Sequence, residues 1–182
     1  MANWLHRTTK EYRVSNDPPL AEQGEWIRNS TLPPGCLEWS DVEVEGDVVR
    51  APNAEELAAR AVVQLTAAKS VKIAAIDART AAVIENGSVV INGESLSTRL
   101  TQQTSLLGIK ASIDVGIGTF PRALSATDGS TYECPDLADF VRISSLVLSF
   151  VESAKAAGRA LRQQVLNATT MAEVNAVVDE RG

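Results

Sequence analysis

Alanine is concentrated in one stretch of this chain. Ala54, Ala58, Ala59, Ala61, Ala67, Ala68, Ala74, Ala75, Ala78, Ala81 and Ala82 all fall between Asn53 and an Asn86-Gly87 stop. Asn53 is a good helix N-cap, and Glu56 stands three residues on, where the partner of a capping box belongs. Leu57, Ala61, Leu65, Ala68, Lys72 and Ala75 then follow helical spacing. The pattern predicts one helix from about 54 to 85, on the order of 45 Å long at ~1.5 Å per residue; a break near Ser70 is the open alternative. Small side chains let such a helix approach another closely. A rod of that length needs a neighbour, supplied either by a second helix of the same chain or by another copy of it.

The second long helix opens at Pro135-Asp136, with Asp139 near its positive end. Leu137, Phe140, Val141, Ser144, Leu148 and Val151 trace one face, and Ile143, Leu146, Val147 and Phe150 fill the others. Apolar character nearly all round predicts a central, enclosed helix, which turns amphipathic around Lys155 to Arg162 and stops near Asn167. Thr170-Met171-Ala172-Glu173 is a capping box for a last short helix. Between the long helices, Val89 to Leu96 around Asn92-Gly93 reads as a tight hairpin. Ser97 or Thr98 caps a helix through about Leu107, and Ile109 to Ile117 is left unassigned. Phe120 to Leu124 and Ser130 to Cys134 flank Thr127-Asp128-Gly129, a second hairpin.

Ahead of Ala51-Pro52-Asn53 the periodicity changes to two. Residues 3 to 14 alternate as a strand or hairpin, ended by Asn16-Asp17-Pro18-Pro19 because consecutive prolines cannot pair in a ladder. Glu25 to Arg28 makes a short strand, closed by Asn29 and the Pro33-Pro34-Gly35 turn. Val42 to Val44 and Val48 to Arg50 make a hairpin about Glu45-Gly46-Asp47. The expected architecture is therefore α+β: a small antiparallel β module over residues 1–52, then a helical α+β domain over 53–182. With 45% hydrophobic residues in a chain of 182, a real core can be buried.

The net charge is −6 and no Lys or Arg run occurs, so a nucleic-acid partner is not expected. Much of the acid sits at Glu38, Asp41, Glu43, Glu45 and Asp47, which reads as a solvated strand face or, alternatively, a docking face for a basic partner. The longest apolar stretch, Leu146 to Val151, is far too short to span a bilayer, and the N-terminus lacks the apolar core of a signal peptide. Neither a membrane nor export by the chain itself is expected. Cys36 and Cys134 stand far apart with no CxxC, and one histidine does not complete a zinc set; reduced thiols are the expectation.

A search for chemistry yields little. His6 has no partnered base in its neighbourhood and reads as a structural or surface histidine. Gly116-Ile117-Gly118-Thr119 lacks the spacing and the GK[ST] ending of a phosphate loop. Asp77 and Asp114 lack acidic or histidine partners at metal-ligand spacing; Asp77 is expected to serve backbone donors or Arg79 where the long helix ends or bends. All three tryptophans, Trp4, Trp26 and Trp39, lie in the first quarter of the chain. They suit the core of a small module, and their faces would also suit stacking on a sugar. Together with His6 they are the candidate protein-contact residues. No residue is assigned a catalytic, cofactor-binding or metal-binding role, and no cofactor is implied.

Ile76-Asp77 with Thr80, Ile84, Asn92-Gly93 and Leu96-Ser97 resembles the core of a domain of unassigned function that recurs among tail-associated proteins of tailed bacteriophages. In that family a helix, a strand pair and a long C-terminal helix follow, then an Ala-Thr-Thr-x-x-Glu-like tail, matched by Ala168 to Glu173. Trp4-Leu5-His6-Arg7-Thr8-Thr9-Lys10 resembles the opening of small phage-encoded proteins. The likeness covers about residues 70 to 178 plus the N-terminal strand. It departs from the family where Ser88 and Val90 replace aromatics. It implies a non-enzymatic virion protein, assembled in the host cytoplasm, that docks to other tail or fibre proteins and self-associates as a trimer or hexamer. A non-structural tail-fibre assembly chaperone is the alternative. A hydrolase of envelope sugars is the third reading, and it would need paired carboxylates that no recognisable spacing supplies.

Overall fold

The computed structural model describes residues 2–15, 26–28, 32–45 and 48–181. The expected stop at Asn16 to Pro19, the closure at Asn29 and the Gly46-Asp47 turn lie outside these residues. Contacts divide the chain into two units, Met1–Gln64 and Leu65–Gly182. The fold is α+β, with small antiparallel sheets and long helices.

In the first unit, β1 (Ala2–His6) pairs with β2 (Tyr12–Ser15) on one side and with β3 (Trp26–Arg28) on the other, both antiparallel. The β1–β2 connection closes with Lys10 N–H donating to His6 O at 3.0 Å and His6 N–H to Glu11 O at 2.8 Å. A 3-10 turn at Trp39–Asp41 leads into the hairpin of β4 (Glu43–Glu45) and β5 (Val48–Arg50). Leu5, Trp26, Ile27 and Val42 are buried here. The first turn of α1 (Ala54–Asn86) is tied to that hairpin. Arg50 grips Glu56 with two bonds of 2.7 Å, and Arg60 donates to the carbonyls of Asp41 and Val42 while pairing with Glu43. Glu56 also accepts from Asn53 N–H at 2.7 Å, and Glu56 N–H donates to Asn53 Oδ1 at 2.9 Å. The capping box is thus in place. Arg50 and the Asn53 amide hold the Glu56 carboxyl down to about 2.

α1 is continuous through Ser70, whose hydroxyl bonds back to Thr66 O at 3.1 Å without breaking the helix. Of its 33 residues only Ile76 is buried. In the second unit this helix packs on α3 (Leu137–Asn167), where Ile76 and Ile73 meet Leu161, Val165 and Val177. Gly158 of α3 allows a close approach: a Cβ there would lie 2.5 Å from Thr80 Oγ1. Asp77 reaches across to Arg162 of α3 at 3.1 Å, and Arg79 donates to Arg181 O. Asp77 therefore bridges two helices rather than finishing its own.

The larger cluster lies under two hairpins. β6 (Ser88–Ile91) and β7 (Glu94–Ser97) turn at Asn92 (φ 49°) and Gly93 (φ 90°), the positive pair that an Asn-Gly type I′ turn requires. β8 (Arg122–Ser125) and β9 (Thr131–Cys134) form the other. They meet at a Leu96–Ala126 bridge and a 2.8 Å bond from Thr127 N–H to Ser95 O. Val89, Ile91, Leu96, Leu124, Tyr132 and Cys134 from the strands pack on Leu106 of α2 (Leu100–Asp114) and on Phe140, Ile143 and Val147 of α3. α2 runs well past the expected end at Leu107, because Ile109 and Ile113 pack on this cluster beyond Gly108. Its N-cap is Arg99, with no side-chain cap. Thr98 instead closes the end of α1, with its hydroxyl on Ile84 O at 2.7 Å and its N–H on Gly87 O at 3.0 Å. α4 (Met171–Ala176) starts on the expected Thr170–Glu173 box.

Candidate interaction surfaces

The four residues singled out in the first unit have different surroundings. His6 is buried, and its Nδ1 accepts from the N–H groups of Thr8 and Thr9 at 3.3 and 3.1 Å. That acceptor role builds the turn after β1. Trp26 is buried edge-on against His6, with centroids 5.0 Å apart, and Arg13 lies over its ring at 5.3 Å. Trp39, half-buried, stacks on Tyr12 at 4.8 Å, and Trp4 is half-buried. His6 and Trp26 therefore belong to the module's interior, while the Tyr12–Trp39 pair offers an aromatic face nearer solvent.

In the second unit, α3 is buried along one stripe only: Phe140, Ile143, Val147, Val151, Ala154, Gly158 and Val165. Leu137, Val141, Leu146 and Leu148 are exposed, so enclosure on all sides is not what this chain gives the helix. Beside the stripe runs an apolar groove between α2 and α3. Its volume is about 340 Å³, and it is lined by Leu106, Leu107, Lys110, Ser144, Val147, Leu148 and Val151 among others. Leu107 and Leu148 line it while 66% and 62% exposed. An all-round apolar pattern on α3 was the signal for this groove. Read from sequence, that pattern does not separate a buried helix from one with an unpaired face.

A hydrogen-bonded ring closes the other end of the same layer. Tyr132 donates its hydroxyl to Asp139 Oδ2 at 2.5 Å and accepts from Asn92 Nδ2 at 2.9 Å. Arg142 donates to Asp139 Oδ1 at 2.6 Å and to Asn92 Oδ1 at 2.9 Å. Asp136 caps α3 by accepting from Asp139 N–H. The Tyr132 hydroxyl and Arg142 hold the Asp139 carboxyl below the usual carboxylate range; the same bond pushes the Tyr132 phenol up. With its oxygens committed to fixed donors, Asp139 is poorly placed to take a substrate proton. Burial pushes the nearby Cys134 thiol up, away from the thiolate that reacts.

A second, polar pocket of about 310 Å³ lies where α2 begins, lined by Ser97, Arg99, Thr101, Gln102, Ser105 and the β8–β9 turn. Among the described residues no three His, Cys, Asp or Glu side chains converge as metal ligands. No described helix is long and apolar enough to cross a membrane.

The comparison with known families decides the affiliation of the second unit. A model described as a domain of unknown function, DUF4376, matches residues 67–179, well over half of the chain. The chain belongs to the DUF4376 family. The match spans most of the second unit, with the groove, the Tyr132–Asp139 ring and the polar pocket all inside it. DUF4376 as described carries no activity, ligand or partner to transfer to those features. No curated protein and no solved structure matches the chain.

Proposed function

We propose that this chain is a non-enzymatic structural protein of a tailed-phage virion, at the tail tip, baseplate or fibre attachment point, and that it works by docking. The observation that carries the docking role is the groove between α2 and α3, with Leu107 and Leu148 standing out of it. Removing such a face from water on contact is worth roughly 25 cal/mol per Å² of apolar area. Its occupant, in this reading, is another copy of the chain. Lys110, the one charged residue lining it among the described residues, is paired with Asp114 at 2.6 Å, which lowers like-charge repulsion between identical faces. The setting in a tail rests on the resemblance of Ile76 to Ser97 and of the Trp4 to Lys10 opening. The first unit, in the same reading, binds a different tail component through its Tyr12–Trp39 face.

Mass spectrometry of gradient-purified particles, calibrated against a major tail protein, tests the setting. Stoichiometric presence supports a structural part, and the copy number separates threefold from sixfold positions. Absence from particles with abundance in the lysate transfers the role to a tail-fibre assembly chaperone. Light scattering of the purified chain tests the groove separately: Leu148→Lys should reduce the mass of the assembly, and an unchanged mass would rule out that face as the contact.

A further inference from the structure

We infer that Asn86-Gly87 is a site of covalent self-modification, at which the asparagine amide becomes a carboxylate, and that the fold holds the same reaction back at Asn92-Gly93. The inference is independent of the docking role. An asparagine followed by glycine is open to attack by its own backbone, because glycine has no Cβ to crowd the nitrogen. The glycine nitrogen bonds to the asparagine Cγ, the Cγ–Nδ2 bond breaks, and the glycine amide proton leaves with Nδ2 as ammonia. Water then opens the resulting succinimide at either carbonyl and gives aspartate or isoaspartate. The net change is water taken up and ammonia released, with no oxidant or reductant. The chain holds two such pairs, Asn86-Gly87 and Asn92-Gly93, and gives them opposite surroundings.

At Asn92 both polar atoms of the side chain are engaged. Arg142 donates to Oδ1 at 2.9 Å, and Nδ2 donates to the Tyr132 hydroxyl at 2.9 Å. Tyr132 and Arg142 are themselves fixed on Asp139, so reorienting the amide for attack by the Gly93 nitrogen means opening the ring. The turn also sets the backbone on both sides of that nitrogen, with φ 49° at Asn92 and 90° at Gly93. Asn86 is the last residue of α1, is exposed, and its side chain makes no hydrogen bond among the described residues. The helical backbone has to open by a residue before the Gly87 nitrogen reaches Cγ, and the last turn is where a helix frays. Thr98 secures this junction through carbonyls, Ile84 O and Gly87 O, and leaves the Asn86 amide alone. The product suits the site badly. A carboxylate there stands at the negative end of the helix dipole. Isoaspartate carries its Cβ in the main chain beside Gly87, where even an added Cβ would lie 2.5 Å from Phe150 and 2.6 Å from Thr98 Oγ1. Conversion therefore loosens the joint of α1 with α3 and the β6–β7 hairpin, a slow change that accumulates with the age of the molecule.

Incubation of the whole chain in mildly alkaline buffer, followed by tryptic digestion and tandem mass spectrometry, tests this. Residues 80–99 leave as a single peptide, cut after Arg79 and Arg99, so each asparagine is read against the other in the same molecule. Acid is expected at position 86 first, with isoaspartate as part of the product. At position 92 it should form about tenfold or more slowly, the factor that one or two net hydrogen bonds set. In urea, where neither surrounding survives, the two rates should converge. In a folded Tyr132→Phe or Arg142→Gln variant, position 92 should speed up several-fold and position 86 stay as it was. Equal rates at the two positions of the unaltered folded chain, or position 92 ahead of 86, would overturn the inference. So would a position 86 that converts in urea alone, or a folded variant that leaves position 92 as slow as before.

Discussion

Tyr132 shows how a single hydroxyl can set the acid sensitivity of a domain. It bonds both Asn92 and Asp139, and the native Asp139 carboxyl sits below its ordinary value with that bond as the first cause. A carboxylate lowered in the folded state adds stability above its unfolded value, near ~3.9, and loses it as pH falls through the folded value. Stability should therefore fall below about pH 4, and Tyr132→Phe should flatten that fall while costing ~1–3 kcal/mol at neutral pH. Urea unfolding at several pH values measures both; an unchanged acid limb in the variant would remove Tyr132 from the account. Gly158 makes a second residue-scale case, because a Cβ there would stand 2.5 Å from Thr80 Oγ1. Gly158→Ala should destabilise by ~1–3 kcal/mol, and adding Thr80→Ala should restore part of the loss.

Gly108 sits inside α2, exposed and with open space where a Cβ would be. Gly108→Ala should raise stability by ~0.5–1 kcal/mol, since alanine gives up less chain entropy in a helix; a fall in the denaturation midpoint would contradict the assigned helix. That residue also explains what sequence could and could not tell. The boxes at Asn53–Glu56 and Thr170–Glu173 were legible because each is a local exchange of hydrogen bonds, as were the opening of α3 at Asp136 and the Asn92-Gly93 turn. The second half of α2 was not. A glycine suggested an end, and the packing of Ile109 and Ile113 that outweighs its cost comes from elements far along the chain. Asp77–Arg162 spans 85 residues, and the polar pocket exists only because the Leu96–Ala126 bridge brings the β8–β9 turn to the start of α2. No spacing rule reaches that far.

On the scale of the molecule, the division at Gln64 and Leu65 and the family match from residue 67 fall close together. Among the described residues, the two hydrophobic clusters lie beyond residue 65. A chain of residues 65–182 should thus unfold cooperatively by itself, with a dispersed NMR spectrum; a molten spectrum would show that residues 1–64 are needed for the second unit to hold its packing. The two cysteines allow the intact protein to be read the same way. Cys36 is half-buried in the first unit, whereas Cys134 has 0% exposure in the second. A thiol reagent should mark Cys36 promptly and Cys134 only when the hairpin layer opens over α3, so labelling of Cys134 acts as a clock for that opening. The dependence of its rate on denaturant would tell a local breath of β9 from global unfolding. Two native thiols, with no engineered label, would thus give a prompt reference in the first unit and a timer in the second.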